Sequence, residues 1–572
     1  MLKTYFCIIA ALVCVCAAHA KDYLENYLPD TTLFSLSLDD FKGLVSELEQ
    51  GRLSEFVTEK QRAEWTTQLE EPFETGDGQR FTLPSGNALS FDSLDEVLTG
   101  RICGAVVGMD EANDMEPEIV LIAEFSGDIE ALKFLQICDR DLPSDEVLLV
   151  EEPYAGITLY TEELVEAPEE EWMPEYWTLV DGYAIETTSL ELLKNTVDSI
   201  LDTRRDGLGS TEDFLRSMDI CGEAQARAYG NLRVGVDMLR SYFQSDMGDI
   251  PLNPLGVTLE SLWNSLAVDN LHAAFASLDY KSDNLQSTFG VLYDERKGIL
   301  ELLAYSPDPL RLPHWVPEEV AGANVTMIDF SEAFAALESI LNDMSPNFGA
   351  MFQLQLDNLR QQTGLDLREA LLNNFGDQFA SFTVWKEDAN EGDEKDRENK
   401  IFAIPIRDPQ AFQGAVKGLA ETFMPGAEMF TERPFLDMSI MVPAQVNQED
   451  PPFGYALVDN HLFVAIGSVD LLERTLYRLR ESDGGLWNQS YMVDALADMP
   501  PNPVECAYFN LGSAMEQVMA IYREEVADNL GKGIELDIPE FSGADMPYFI
   551  LSAGYILEDA QITRARVLPK NP

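Results

Sequence analysis

The 572-residue chain carries one succession of local signals twice, and a repeat of that length restricts the fold to one that can be assembled from two similar units. Near the start, Leu28-Pro29 leads into an alternating strand with Phe34, Leu36 and Leu38 on one face. Asp40 then caps a helix with Phe41, Leu44, Val45 and Leu48 at helical spacing. Much later, Val316-Pro317 leads to the run 325–328, and Asp329 caps a helix carrying Phe330, Phe334, Leu337, Ile340 and Leu341. Glu332 completes a capping box there.

Three more anchors follow in the same order. The strand-like run 119–125 with Asp128 corresponds to 401–406 with Asp408, each leading into a capped helix. The hairpin at Asp181-Gly182 with the helix from Leu190 corresponds to the hairpin at Asp459-Asn460 with the helix from Val469. Ala228-Tyr229 and Ala507-Tyr508 each precede an amphipathic helix. Pro29 and Pro317, Ile119 and Ile401, Val180 and Val458, and Ala228 and Ala507 stand 278 to 288 residues apart. The terminal segments beginning at Gly290 and Gly554 are closer together, which places extra residues in the first copy, around 250–257.

The expectation is two tandem related domains, 21–313 and 314–572, meeting at the proline-studded stretch 307–317. Each is predicted to be α+β, a largely antiparallel sheet with amphipathic helices packed on it, because hairpins enforce antiparallel pairing. A doubly wound parallel sheet is the alternative. It fits less well with the tight reversals read at Asp181-Gly182, 459–461, 294–298 and Glu558-Asp559. The charged insert 386–400 reads as a solvated hairpin loop, and the acidic stretch 162–171 reads as its counterpart in the first copy.

Residues 1–20 read as a secretory signal peptide. Lys3 supplies the positive end, 5–16 the short apolar core, and Ala18-His19-Ala20 small residues at a cleavage site, so cleavage is expected after Ala20. Lipid anchoring is disfavoured, since neither Cys14 nor Cys16 follows small residues. No later apolar run is long enough for a transmembrane helix, and the expected location is secreted or periplasmic.

The charge of −63 argues against nucleic acid as a partner, because a polyanion would be repelled and no basic patch opposes that field. The 101 acids spread through both copies, against 38 Lys plus Arg, also suit a surface exposed to salty surroundings. Four cysteines outlast the leader: Cys103, Cys138, Cys221 and Cys506. Cys103 and Cys138 are the candidate disulfide pair, in a strand and at a helix end of one unit, and four buried free thiols are the other reading.

Chemistry is sparse. His272 falls in a predicted strand, His314 in the linker and His461 in a hairpin turn, none beside a motif for acid–base or triad catalysis. There is no nucleophile elbow, zinc-protease helix, phosphate loop or dinucleotide fingerprint. Hence no catalytic residue, cofactor or metal is nominated. The acidic stretches lack EF-hand spacing, and Met424, Met429, Met438 and Met441 read as core in preference to soft-metal ligands. Trp172, Tyr176 and Trp177 beside the acidic stretch read as strand-edge core, with a carbohydrate platform as the alternative.

The segments 316–324, 363–378 and 455–464 resemble a group of exported bacterial proteins classed as a domain of unknown function. The resemblance is best over 316–480 and thinner in the first copy, where Ser93–Leu98 stands in for the Gly364-Leu365-Asp366-Leu367 run. It implies a secreted, repetitive α+β protein and carries no catalytic residue across. The leading expectation is a non-enzymatic, envelope-associated binding or scaffolding module with an envelope or extracellular partner. The alternatives are a secreted carboxylate-dependent, glycan-active hydrolase and a carrier of an apolar ligand.

Overall fold

The computed structural model describes residues 23–40, 97–110, 116–138, 147–164, 175–202, 207–246, 252–281, 284–385, 398–423, 430–444, 452–481, 484–516 and 546–570, with isolated positions between 43 and 96. The expected signal segment with its cleavage after Ala20, and the helix expected after Asp40, fall outside these residues, apart from Gly43 and Glu47. The chain divides into two compact units, Met1–Arg240 with Leu271–Tyr293, and Ser241–Asn270 with Asp294–Pro572. The fold is α+β, and the strand pairings described are antiparallel, which removes the doubly wound alternative for these residues.

The first unit contains β1 (Phe34–Leu38), β2 (Leu98–Asp110), β3 (Glu116–Phe125), α1 (Ile129–Cys138), β4 (Val147–Tyr154), β5 (Ile157–Leu164), β6 (Tyr176–Val180) and β7 (Tyr183–Thr187). Then come α2 (Leu190–Leu201), α3 (Glu212–Cys221), β8 (Ala226–Asn231), the start of α4 (Leu232–Asp246), β9 (Leu271–Lys281) and β10 (Asn284–Tyr293). Its pairings run β10-β9-β8-β1-β2-β3-β7-β6-β5-β4. Period-two alternation divides the side chains between two buried faces. Leu38, Ile102, Ala123, Trp177 and Ala226 pack with Ala131 and Leu132 of α1 on one face. Trp177 is fully buried and stacks on Tyr160 at 4.4 Å, so it is core and no part of a carbohydrate platform; Trp172 lies outside the described residues. The opposite face carries Ser35, Ser37, Cys103, Arg227 and Tyr229, under α3 and the 3-10 turn Leu24–Tyr27.

The second unit takes α5 (Leu259–Leu266), then β11 (Gly322–Met327), α6 (Phe330–Met344), α7 (Pro346–Thr363), α8 (Leu367–Ala370), β12 (Gln378–Trp385), β13 (Glu398–Pro405) and α9 (Pro409–Phe423). It continues with β14 (Phe430–Phe435), β15 (Met438–Pro443), β16 (Phe453–Val458), β17 (His461–Ile466), α10 (Val469–Arg480), α11 (Ser490–Ala497), β18 (Glu505–Asn510), β19 (Tyr548–Ile556) and β20 (Ala560–Pro569). The order is β20-β19-β18-β11-β12-β13-β17-β16-β15-β14. On one sheet face Val325, Phe382, Ile401, Phe463, Cys506 and Tyr508 pack with Leu472 and Leu476 of α10 and with Met492 of α11.

Several local signals are met. Asp181-Gly182 and Asp459-Asn460 turn their hairpins with both residues at positive φ, 51° and 83°, 48° and 59°, as a type I′ turn requires. Asp329 caps α6 by accepting from Ser331 N at 2.9 Å and Glu332 N at 3.0 Å, and Asp408 caps α9 in the same way through Gln410 N and Ala411 N. Three expectations change. Gly290 lies in β10 and Gly554 in β19, so those two segments are a tenth and a ninth strand of their units. Residues 294–298 lead from β10 into a 3-10 turn at Gly298–Leu303 and make no hairpin. The charged insert joins β12 to β13, the second and third strands of the second unit, whereas the acidic stretch begins in β5 and leads to β6, so the two are not counterparts.

Candidate functional site

On β15, Met438, Ile440 and Val442 point into the core, and on β16 so do Gly454, Ala456 and Val458. The intervening residues face the other way and, Ser439 apart, are apolar too, with Met441 opposite Tyr455 in the register. Phe430 of β14 meets Tyr455 edge-on at 5.1 Å. Phe412 and Val416, one turn apart on α9, complete the wall of a cleft of about 830 Å³. A sheet with apolar residues on both faces needs cover on both, and here the half-buried Phe430, Met441, Tyr455 and Leu457 form a floor that α9 only partly roofs. Burial pushes the Tyr455 phenol above its ordinary range.

The charges of this cleft lie toward its rim. Asp437 pairs with Arg480 at 2.9 Å, Glu421 with Lys417 at 3.8 Å, and Glu432 accepts from the Ser439 hydroxyl. A carboxyl group working as a general acid is kept protonated by burial or by a neighbouring carboxylate. Asp437 and Glu421 are instead 72% and 70% exposed and each lies against a cation.

The first unit holds a different constellation. Ser37 of β1 is flanked in register by Cys103 of β2 and Arg227 of β8. Its hydroxyl donates to Glu25 Oε1 at 2.6 Å, and Arg227 pairs with Asp39 at 2.5 Å beneath the Tyr23 ring. Burial raises both carboxyl groups, against the pull of Ser37 on Glu25 and of Arg227 on Asp39. One row further along, Arg101 donates to Glu124 through Nε at 2.9 Å and a terminal nitrogen at 2.6 Å. Tyr183, pushed up to about 12 by burial and by its hydrogen bond with Tyr27, closes the row. In the second unit the strand that pairs in this way is β11, where Val325 is flanked by Ala380 and Cys506, and the same spot is apolar core.

The residues singled out from sequence are scattered. Cys103 is a buried free thiol, raised well above its ordinary value by burial, while Cys138 ends α1 with its side chain outside the described residues. Cys506 is a buried free thiol in β18, and Cys221, partly exposed, ends α3. His272, in β9 as expected, lies 3.3 Å from Asp213 and against Arg233. His314 is exposed, and His461 leads β17 with Nδ1 2.9 Å from the Asp459 carbonyl. Of the four methionines, Met438 is a core residue that also borders the cleft, Met441 lines the cleft, and Met424 and Met429 lie outside the described residues. Among the described residues no group of three or more His, Cys, Asp or Glu is placed to hold a metal ion. Sequence reading missed the cleft, whose signal was apolar residues on both parities of β15 and β16. It also missed the ionic cluster, announced by Ser37 and Arg227 inside strands.

Fold and cleft together define an antiparallel α+β protein with an apolar-floored, charge-rimmed groove. No family model matches the chain, and no curated protein matches it. Among solved structures it is similar to crystal form I of TP0453, with 12% identity and a TM-score of 0.23, over 47% of this chain and 77% of that one. It is similar also to crystal form III of TP0453, with 8% identity and a TM-score of 0.20, over 46% and 95%. No helix among the described residues is long and apolar enough to cross a membrane.

Proposed function

We propose that the chain is an exported, non-enzymatic binding protein, and that the groove between α9 and β14–β16 receives a ligand with an apolar body and a polar end. The observation that carries this is the groove itself: a floor of Phe430, Met441, Tyr455 and Leu457 under a rim of paired charges. Apolar surface left in contact with water gains about 25 cal/mol per Å² when a ligand covers it, and rim charges orient a polar end. The same groove serves the carrier reading, and the exposure of Asp437 and Glu421, each against a cation, favours binding over hydrolysis at those two carboxylates. Export rests on the 1–20 leader, with cleavage after Ala20 and an extracytoplasmic destination, in keeping with the resemblance to exported bacterial proteins.

The two units are read as copies of one tandem-duplicated domain. Supporting this, both run their ten strands in one order, and Leu36 faces Ala228 as Asn324 faces Ala507. Leu208 N donates to Leu28 O at 3.0 Å, as Leu486 N does to Val316 O at 2.9 Å.

The test is a fluorescence titration with 1-anilinonaphthalene-8-sulfonate. Wild-type protein is expected to bind the dye saturably, and Met441→Lys to weaken binding at least ~10-fold, one buried apolar contact plus a misplaced charge, with an unchanged urea midpoint. Equal binding by both proteins contradicts the groove as the site.

A further inference from the structure

The turn Leu24–Tyr27 and the following Leu28-Pro29 lie across the first unit with Leu24, Glu25 and Leu28 almost completely buried. Leu24 and Leu28 are ordinary core; Glu25 is not. A carboxylate 2% exposed has lost its water, and an ionised one in such a place needs a full set of donors or a dedicated cation. Glu25 has the Ser37 hydroxyl and its own backbone N–H, short of a full set, while the nearby guanidinium of Arg227 is engaged by Asp39.

The titratable and charged groups around it are Tyr23 of its own segment, Asp39 just after β1, Cys103 of β2 and Arg227 of β8, with Cys221 of α3 beyond Tyr23. Asp39 repels a charge on Glu25 and Arg227 attracts it, so the pair they form offers Glu25 little net field. Arg101 and Glu124 are closed on one another a row away. Burial therefore decides, and it favours the neutral acid.

We infer that Tyr23–Pro29 is a proton-linked strap, docked on the first unit while Glu25 carries its proton and lifting when Glu25 ionises. Lifting has a structural consequence. Residues 26–30 form one wall of a smaller cleft of about 320 Å³, faced by Asn195, Thr196 and Ser199 of α2, and that cleft exists only while the strap is down. It also frees the Leu208 N–H, whose acceptor is the Leu28 carbonyl.

The sign follows from proton balance. The docked state holds a proton on Glu25 that the lifted state gives up in the ordinary carboxylate range. Rising pH therefore pulls the strap off, by up to ~10-fold in the opening equilibrium per pH unit for one proton. The second unit supplies an internal control, because the equivalent amide of Leu486 donates to Val316 O over a core whose buried members, among the described residues, include no acid.

Amide hydrogen exchange of the full chain, corrected for intrinsic rates, tests this between pH 5 and 8. The protection of Leu208 is expected to fall up to ~10-fold per pH unit across part of that range, while that of Leu486 stays level. In Glu25→Gln the Leu208 protection is expected to become level as well. Parallel pH dependence of the two amides in wild type, or an unchanged slope in Glu25→Gln, overturns the inference. The comparison of Leu208 with Leu486 decides the matter even if the variant fails to fold.

Discussion

Arg227 meets Asp39 at 2.5 Å with side chains only 9% and 15% exposed, an ion pair drawn almost wholly out of water at the junction of β1 and β8. Removing one member of such a pair strands the other. Arg227→Met is expected to destabilise the protein by about 3–5 kcal/mol, and Arg227→Met with Asp39→Asn by clearly less, because no buried charge is then left unpaired. Urea denaturation measures both. A single variant within about 1 kcal/mol of wild type would show the pair to be solvated.

Gly207 and Gly485 make the same close approach in the two units. A Cβ on Gly207 would lie 2.2 Å from the Leu28 carbonyl oxygen, and one on Gly485 2.0 Å from that of His314. The obstruction is backbone, which cannot swing aside as a side chain would. Gly207→Ala and Gly485→Ala are each expected to cost about 1–3 kcal/mol, read from the denaturation midpoint; a neutral effect at either site would mean that the segments are not held together there.

The thiols divide by burial. Cys103 and Cys506 are enclosed, the first raised well above its ordinary value and the second pushed up to about 12 by burial and by Glu505. The thiolate is the reactive form, so both are expected to resist iodoacetamide at pH 8 until the protein is unfolded, while the partly exposed Cys221 reacts first. Peptide mapping without reduction should return Cys103 as a free thiol. Recovery of a Cys103–Cys138 cross-linked peptide contradicts that.

The acidic surplus of 101 against 38 predicts a salt response. Raising NaCl from about 0.1 to 1 M shortens the screening length from about 10 to about 3 Å, relieving repulsion among dispersed carboxylates. The melting temperature is expected to rise across that range. A flat or falling trend would mean that the acids are already balanced by local pairs such as Arg433 with Glu473.

The hairpins and caps were legible in the sequence because their physics is local. Asp-Gly and Asp-Asn supply positive φ, and an Asp ahead of an apolar periodic run supplies the cap. The order of strands within a unit was not, because β1 is hydrogen-bonded on both sides by strands remote in the chain, β2 and β8. For the same reason Gly290 and Gly554 looked like partners, when β10 corresponds in strand order to β20. The groove escaped because Ile440 and Val442 fill a core while Met441 between them faces away, and alternation within an apolar run such as 440–443 does not tell the two faces apart. The ionic cluster escaped because Glu25, Ser37, Asp39 and Arg227 look like surface residues until two strands and a turn bring them together.

The central claim is that the second unit binds a ligand in the groove between α9 and β14–β16. Hydrogen–deuterium exchange of the full chain with and without 1-anilinonaphthalene-8-sulfonate tests it most directly. Slowed exchange confined to residues 409–423 and 430–458 is the expected result, and protection elsewhere, or none at a saturating dye concentration, would contradict it.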